Sequence, residues 1–148
     1  MNWLPRANWY WATEADVKGK EFGHDEHYYA VRRVRLDPRG TLRIDPTSHW
    51  GFDVAVITAS HQASDLKSGI VDRPVIVGPH TWVASNAVLY NCVIGEGAIV
   101  AAGTVVRSCE VRPWTMVAGN PPQVIARCPD QRPGGEWVYL ADKWTVLG

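Results

Sequence analysis

The most informative feature of this sequence is a six-residue repeat that runs from Val75 to Ile125. Each unit opens on an aliphatic residue, a glycine or alanine often follows, and a small or β-branched residue occupies the fifth place. A hexapeptide period is typical of a β-helix, in which the aliphatic residues point into a narrow interior and the small residues allow the corners. We therefore predict an all-β fold, a single-stranded parallel β-helix of about three to four coils. The units open at Val77, Val83, Leu89, Ile94, Val100 and Val106.

The repeat divides the 148 residues of a single predicted domain into three parts. Residues 1–40 lack the period, and we expect a non-repeat cap there, because uncapped terminal coils expose sheet edges. Residues 41–127 form the β-helix, with a loop at 62–74 where polar residues, glycine and proline replace the aliphatic ones. Residues 128–148 form a hairpin-like tail with its turn near residues 141–143.

Two shorter patterns lie before the repeat. Ile44, Trp50 and Val56 are six residues apart and predict the inward positions of the first coil. Residues 31–36 alternate weakly between apolar and charged side chains, as a strand with one buried face does.

Charge and hydropathy argue against a nucleic-acid-binding protein and against a membrane-spanning one. Fifteen basic and fifteen acidic residues cancel, and no basic stripe supports nucleic-acid binding. No apolar run approaches the roughly 20 residues that span a bilayer. The polar, aromatic start does not resemble a secretory signal, so we expect a cytoplasmic protein. A β-helix with few coils also leaves flat apolar outer faces, which favours self-association.

The three cysteines predict neither a disulfide framework nor a zinc site, since they are odd in number and lack a C-x-x-C spacing. Cys92 and Cys109 are 17 residues apart, about one coil, and we expect them to stack as free thiols in a reducing cytoplasm.

Three segments resemble the hexapeptide-repeat acyltransferases, and within them the maltose, galactoside, nodulation and colanic-acid O-acetyltransferases. The segments are Ile-Thr-Ala-Ser-His at 57–61, a valine-rich run at 75–88, and Pro-Trp-Thr-Met-Val-Ala-Gly-Asn-Pro at 113–121. The resemblance covers roughly residues 41–127 and implies a left-handed β-helix that assembles as a homotrimer. It also implies transfer of an acetyl group from acetyl-coenzyme A, which is an acyl-donor substrate.

The resemblance implies two catalytic groups. His61 matches the histidine that the family uses as general base, a role that suits imidazole because its pKa lies near neutrality. Ser85 matches the residue whose backbone amide stabilises the oxyanion of the tetrahedral intermediate. In a trimer these two residues come from adjacent subunits. The carboxylate that orients His61 stays open between Asp45 and Asp53.

The resemblance also implies binding residues. Small side chains let the pantetheine arm of coenzyme A approach the backbone, and nearby arginines can hold its phosphates. The chain departs from the family at two phosphate contacts, where Ser108 and Gln123 replace basic residues. The implied coenzyme contacts are Trp82, Ala84, Ser85, Ala102, Arg107 and Arg127. The implied acceptor contacts are His49, Trp50 and Asp53.

The predicted function is acetyl-coenzyme A-dependent O-acetylation of a hydroxyl on a saccharide or related small acceptor. Zinc carbonic anhydrases share the fold, but the five histidines here do not reproduce their paired spacing, so we expect no metal. Two alternatives stay open. One is a non-catalytic trimer that serves as a structural or attachment module, and the other is N-acetylation of an amino-sugar.

Overall fold

The computed structural model describes residue 24 and residues 26–140. Within this part of the chain lie one short helix, α1 (Glu26–Arg32), and sixteen strands. None of its helical residues form a segment long and apolar enough to cross a bilayer.

Most strands belong to three sheets that form the sides of a triangular coil. Sheet 1 contains β1 (Arg35–Leu36), β4 (Ala55–Ile57), β9 (Val88–Tyr90) and β12 (Val105–Arg107). Sheet 2 contains β2 (Leu42–Ile44), β7 (Val75–Val77), β10 (Cys92–Ile94) and β13 (Glu110–Val111). Sheet 3 contains β3 (His49–Trp50), β8 (Trp82–Val83), β11 (Ile99–Val100), β14 (Thr115–Ala118), β15 (Gln123–Arg127) and β16 (Val138–Tyr139). The chain visits the sheets in this order and adds one parallel strand to each per circuit. The predicted β-helix is therefore confirmed, with parallel sheets stacked as in a left-handed β-helix.

The register between coils is regular. From β7 onward, partner residues on neighbouring coils are 17 positions apart, as Ile99 and Met116 are. Partners on β2 and β7 are 33 positions apart, because residues 59–72 are inserted between these coils. At the corner between sheets 1 and 2, the step between inward-facing residues is five positions, as from Leu89 to Ile94 and from Val106 to Val111, against six positions at the other two corners. Asn91 and Ser108 close this corner with left-handed φ angles of 49° and 51°. The short unit that begins at Leu89 is thus a repeating feature of the coil.

The core is the narrow interior of the coil, filled by the predicted aliphatic positions. Ile44, Trp50 and Val56 are all buried, as predicted for the first coil. The Trp50 indole donates to Ser48 Oγ at 2.8 Å, which satisfies its one polar atom. Cys92 is also buried in the interior. Its burial and the neighbouring Cys109 raise the pKa of the Cys92 thiol to about 12.

The first coil begins earlier than predicted. Strand β1 already pairs in parallel with β4, so coil geometry starts at Arg35 and not at residue 41. The strand predicted at 31–36 is wrong for its first residues, which belong to α1. The reason is a tertiary contact, since Tyr29 of α1 is fully buried and packs edge-on against Trp50 over the end of the interior. The cap predicted for residues 1–40 falls mostly outside the described residues.

The parallel coil ends before residue 127. Strand β15 runs antiparallel to β14, and β16 runs antiparallel to β15. Pro121 and Pro122 follow β14 and lack the amide hydrogens that a continuing ladder needs, so the chain reverses there. The predicted turn at 141–143 lies outside the described residues.

The segment predicted as a loop at 62–74 is largely a β-hairpin. Strands β5 (Ala59–Gln62) and β6 (Asp65–Asp72) pair antiparallel and project from the corner between sheets 1 and 2. Every residue from 61 to 70 is exposed. We call this element the His61 hairpin, because His61 lies on β5 opposite Ile70.

Candidate active site

A groove of about 540 Å³ lies on the outer face of sheet 3. The coil register builds it, because Trp82, Ile99 and Met116 occupy the same outward position on successive coils. Four of the residues predicted to contact coenzyme A line this groove, and its surface is mainly apolar. The lining residues are Gly51, Phe52, Trp82, Ala84, Ser85, Ile99, Ala101, Ala102, Met116 and Tyr139.

Ser85 offers a backbone amide at the groove. Its hydroxyl accepts a hydrogen bond from the Phe52 amide at 2.9 Å, and its carbonyl accepts one from Gly103 at 3.0 Å. Among the described residues, nothing accepts a hydrogen bond from the Ser85 amide itself. A Cβ at Gly51 would lie 2.5 Å from this nitrogen, so only glycine leaves the space beside it open. A fixed, unpaired N–H of this kind can stabilise a developing oxyanion.

His61 is exposed on β5, and its Nδ1 lies 3.1 Å from the carbonyl oxygen of Gly69 across the hairpin. A carbonyl oxygen only accepts hydrogen bonds, so in the neutral ring Nδ1 carries the proton. Nε2 is then left with a lone pair, which is the state that a general base requires. His61 does not line the groove of its own chain.

Neither of the two carboxylates considered as partners contacts His61. Asp53 forms a bidentate ion pair with Arg33, at 2.8 Å for both contacts, and these hydrogen bonds lower the pKa of Asp53. Asp45 accepts from the hydroxyl and amide of Thr47, which lowers its pKa as well. In this chain the Gly69 carbonyl orients the imidazole.

The predicted acceptor residues lie apart from one another. His49 is exposed on sheet 3 and in register with Trp82, beside the groove. Trp50 is only 4% exposed, so the predicted acceptor contact is wrong for this residue, whose ring fills the core. Asp53 lies in the turn after β3, paired with Arg33.

The two arginines predicted to hold phosphates do not line the groove. Arg107 lies on the outer face of sheet 1, with its guanidinium 6.0 Å from the ring centre of Tyr90. Arg127 is exposed at the end of β15. Within one chain, the structure does not bring these arginines together with Trp82 and Ala102.

Six groove residues are not among the predicted contacts, and two of them are the small residues Gly51 and Ala101. Ile99 and Met116 follow from the 17-residue register once Trp82 is placed, so the repeat contained that signal. Phe52 and Tyr139 are about half exposed, at 51% and 50%, and form aromatic walls. The repeat could not predict Tyr139, because this residue lies on an antiparallel strand outside the repeat.

A buried charge network holds the root of the His61 hairpin. Asp37 is fully buried and binds Arg39 with both oxygens at 2.8 Å. It also accepts from the amide of Thr58, the residue just before the hairpin, at 3.1 Å. Burial disfavours the charged carboxylate, but the hydrogen bonds from Arg39 and Thr58 outweigh it and hold the Asp37 pKa below its ordinary value.

Replacing Asp37 with asparagine is expected to lower the free energy of unfolding by about 1.5–3 kcal/mol, the range for hydrogen bonds to charged groups. Because the folded-state pKa is depressed, Asp37 stabilises the protein above the unfolded pKa of about 3.9, and this contribution is lost as the pH falls through the folded value. Denaturant unfolding from pH 7 to pH 3 checks both points. The Asp37→Asn variant should lose less stability on acidification than the wild type, and parallel curves would contradict the network's role.

No group of three or more histidine, cysteine or acidic side chains is arranged to hold a metal ion within the described part of the chain.

The comparisons with known proteins point to one family. Residues 74–108 match the family model described as bacterial transferase hexapeptide (six repeats). A Staphylococcus aureus (strain MRSA252) protein named as an acetyltransferase is 34% identical over 61 residues, which cover 40% of this chain and 30% of that protein. The chain therefore spans less than a third of this curated relative.

Solved structures match over a longer stretch. A maltose O-acetyltransferase from Clostridium difficile 630 is 26% identical with a TM-score of 0.58, and the match covers 64% of this chain and 52% of that one. A hexapeptide-repeat acetyltransferase from Vibrio cholerae O1 biovar eltor, complexed with acetyl-coenzyme A, is 24% identical with a TM-score of 0.55. That match covers 64% of this chain and 53% of the other, and it shows the fold. In its 17-residue coils, hexapeptide period and parallel sheets, the chain resembles the hexapeptide-repeat acetyltransferases, and residues 74–108 carry their repeat.

Proposed function

We propose that this protein transfers an acetyl group from acetyl-coenzyme A to a hydroxyl of a saccharide or related small acceptor. The observation that carries the proposal is the Ser85 amide, which lies beside an apolar groove and has no hydrogen-bond acceptor in the part of the chain that the structure describes. The same groove contains Trp82, Ala84 and Ala102, the positions that match the coenzyme site of the family. An amide donor next to a channel for an acyl thioester is the arrangement that acyl transfer requires.

The solved neighbours support the donor and the class of acceptor. One is complexed with acetyl-coenzyme A, and another is a maltose O-acetyltransferase. This chain spans about half the length of each, so the activity of the whole protein is a proposal drawn from its own site.

The proposed reaction uses His61 as the base. Nε2 removes the proton of the acceptor hydroxyl as its oxygen attacks the thioester carbonyl carbon. The Ser85 amide donates to the oxyanion of the tetrahedral intermediate. Collapse of the intermediate breaks the carbon–sulfur bond, and the departing thiolate of coenzyme A takes the proton from the imidazolium. The products are an acetyl ester and free coenzyme A.

We further propose that the site is completed in a homotrimer. His61 does not line the groove of its own chain, and the groove presents exposed apolar walls that a second subunit can cover. His61 of one subunit then faces the Ser85 amide of the next. In this arrangement we assign Arg107 and Arg127 to the coenzyme phosphates, which lie outside the apolar groove.

The test is to incubate the protein with acetyl-coenzyme A and a panel of saccharides, nucleotide sugars and amino-sugars, and to identify products by mass spectrometry. An alkali-labile acetyl ester supports the proposal. An alkali-stable amide on an amino-sugar would replace it with N-acetylation. Absence of transfer together with absence of coenzyme A binding at millimolar concentration would favour the non-catalytic module.

A further inference from the structure

The His61 hairpin contacts the coil only near its root among the described residues. Residues 61–70 are exposed, whereas both ends of the hairpin are held by hydrogen bonds. Thr58 binds Asp37 at one end, and Asp72 accepts from the amide and hydroxyl of Thr41 at the other. These bonds fix where the hairpin leaves the coil, but a two-stranded ribbon held only at its ends can still pivot.

Ser60 supplies a further contact next to His61. Its Oγ lies 2.9 Å from the Tyr90 hydroxyl and accepts a hydrogen bond from Arg73 Nε at 3.1 Å. Arg73 uses one lone pair of the Ser60 oxygen. The remaining contact is a hydrogen bond between the Ser60 and Tyr90 hydroxyls, in which either hydroxyl can be the donor. Ser60, Arg73 and Tyr90 are all half-buried, so the cluster is partly shielded from water.

Tyr90 is a rigid anchor for this contact. It lies on β9 in the middle of sheet 1, in register with Ile57 on one side and Arg107 on the other. Side chains alternate along a strand, so Ser60 on β5 faces Tyr90 and the coil while His61 faces away from them. The hydroxyl pair therefore sets the orientation of the strand that presents the imidazole.

We propose that Tyr90 is a positioning residue, which acts through Ser60 to hold His61 at the angle that acetyl transfer needs. This inference rests on the proposed function, in which His61 is the base. A misplacement of about 1 Å in a catalytic group can cost on the order of 10²-fold in rate. Loss of the Ser60 or Tyr90 hydroxyl is therefore expected to lower kcat more than it weakens binding of the coenzyme.

The experiment compares Tyr90→Phe and Ser60→Ala with Ser60→Thr, which keeps the hydroxyl, and with Ser68→Ala, which removes an exposed hydroxyl from β6 that does not contact Ser60 or Tyr90. Tyr90→Phe and Ser60→Ala are expected to lower kcat about ten- to a hundredfold with an unchanged KM for acetyl-coenzyme A and an unchanged melting temperature. Ser60→Thr and Ser68→Ala should retain activity. Adding Tyr90→Phe to a His61→Ala variant should cause no further loss, because the effect passes through His61.

Hydrogen exchange of residues 59–72 gives a second readout that does not depend on activity. Exchange should be faster in Tyr90→Phe than in the wild type. Ser68→Ala loses only a hydrogen bond to the Asp65 carbonyl and should leave exchange of residues 59–61 unchanged. Unchanged exchange in Tyr90→Phe overturns the inference, and so does faster exchange with an unaltered kcat. If the wild type transfers no acetyl group to any acceptor, the proposed function fails, and the exchange result alone then decides whether Tyr90 anchors the hairpin.

Discussion

Replacement of His61 with alanine is expected to lower kcat for acetyl transfer to a hydroxyl by about 10²- to 10⁴-fold, the usual contribution of a general base. An alcohol is a poor nucleophile until its proton is removed, and in the neutral ring of His61 the lone pair lies on Nε2, because Nδ1 faces the Gly69 carbonyl. The KM for acetyl-coenzyme A should change little, since His61 lies outside the apolar groove. Steady-state kinetics with the accepted saccharide measure both parameters.

The matched control is His80→Asn. His80 is also exposed, at a corner with a φ of 55° that asparagine tolerates, and it lies outside the groove. This variant should keep wild-type kinetics. Equal activity of His61→Ala and the wild type would remove His61 from the mechanism. Loss of the oligomer in His61→Ala would instead make its role structural.

Replacement of Ser85 with proline is expected to lower kcat by about 10²- to 10³-fold, the cost of losing one oxyanion donor. Proline has no amide hydrogen, so the substitution deletes the proposed donor while the side chain stays small. Ser85→Ala is the matched control, because alanine keeps the amide and loses only the hydroxyl that accepts from Phe52. Alanine should therefore retain most of the activity.

Two further measurements make this comparison decisive. Calorimetric titration with coenzyme A should give similar affinities for both Ser85 variants, and circular dichroism should show an intact fold. Equal loss of activity in Ser85→Pro and Ser85→Ala would mean that the Ser85 hydroxyl matters and that the amide is not the donor.

Most of the coil was predictable because one physical requirement repeats along the chain. An aliphatic side chain must enter the narrow interior once per strand, and the period of those residues fixed the strands from Ile44 to Val117. The ends were harder, since they depend on tertiary contacts. Residues 31–36 alternate like a strand, but burial of Tyr29 against Trp50 favours a helix through Arg32. At the other end, the antiparallel strands β15 and β16 extend sheet 3 in place of a further parallel coil.

The candidate site was predictable where residue type carries the chemistry. Ser85 and Ala102 were predicted from the resemblance of their motifs, and both line one groove. The partner of His61 was not predictable, because it is the backbone carbonyl of Gly69 and every residue type has a backbone carbonyl. Trp50 satisfied both a core pattern and an aromatic binding pattern, and only its burial separates the two.

The measurement that tests the central claim most directly is subunit complementation between His61→Ala and Ser85→Pro. Each variant alone should be nearly inactive, because every site in its trimer lacks one group. If His61 and the Ser85 amide come from adjacent subunits, each mixed trimer regains one intact site out of three. Unfolding and refolding an equal mixture should then restore about a quarter of wild-type activity, given random assembly into cyclic trimers. No recovery in a mixture shown to contain mixed trimers would contradict a site shared between subunits.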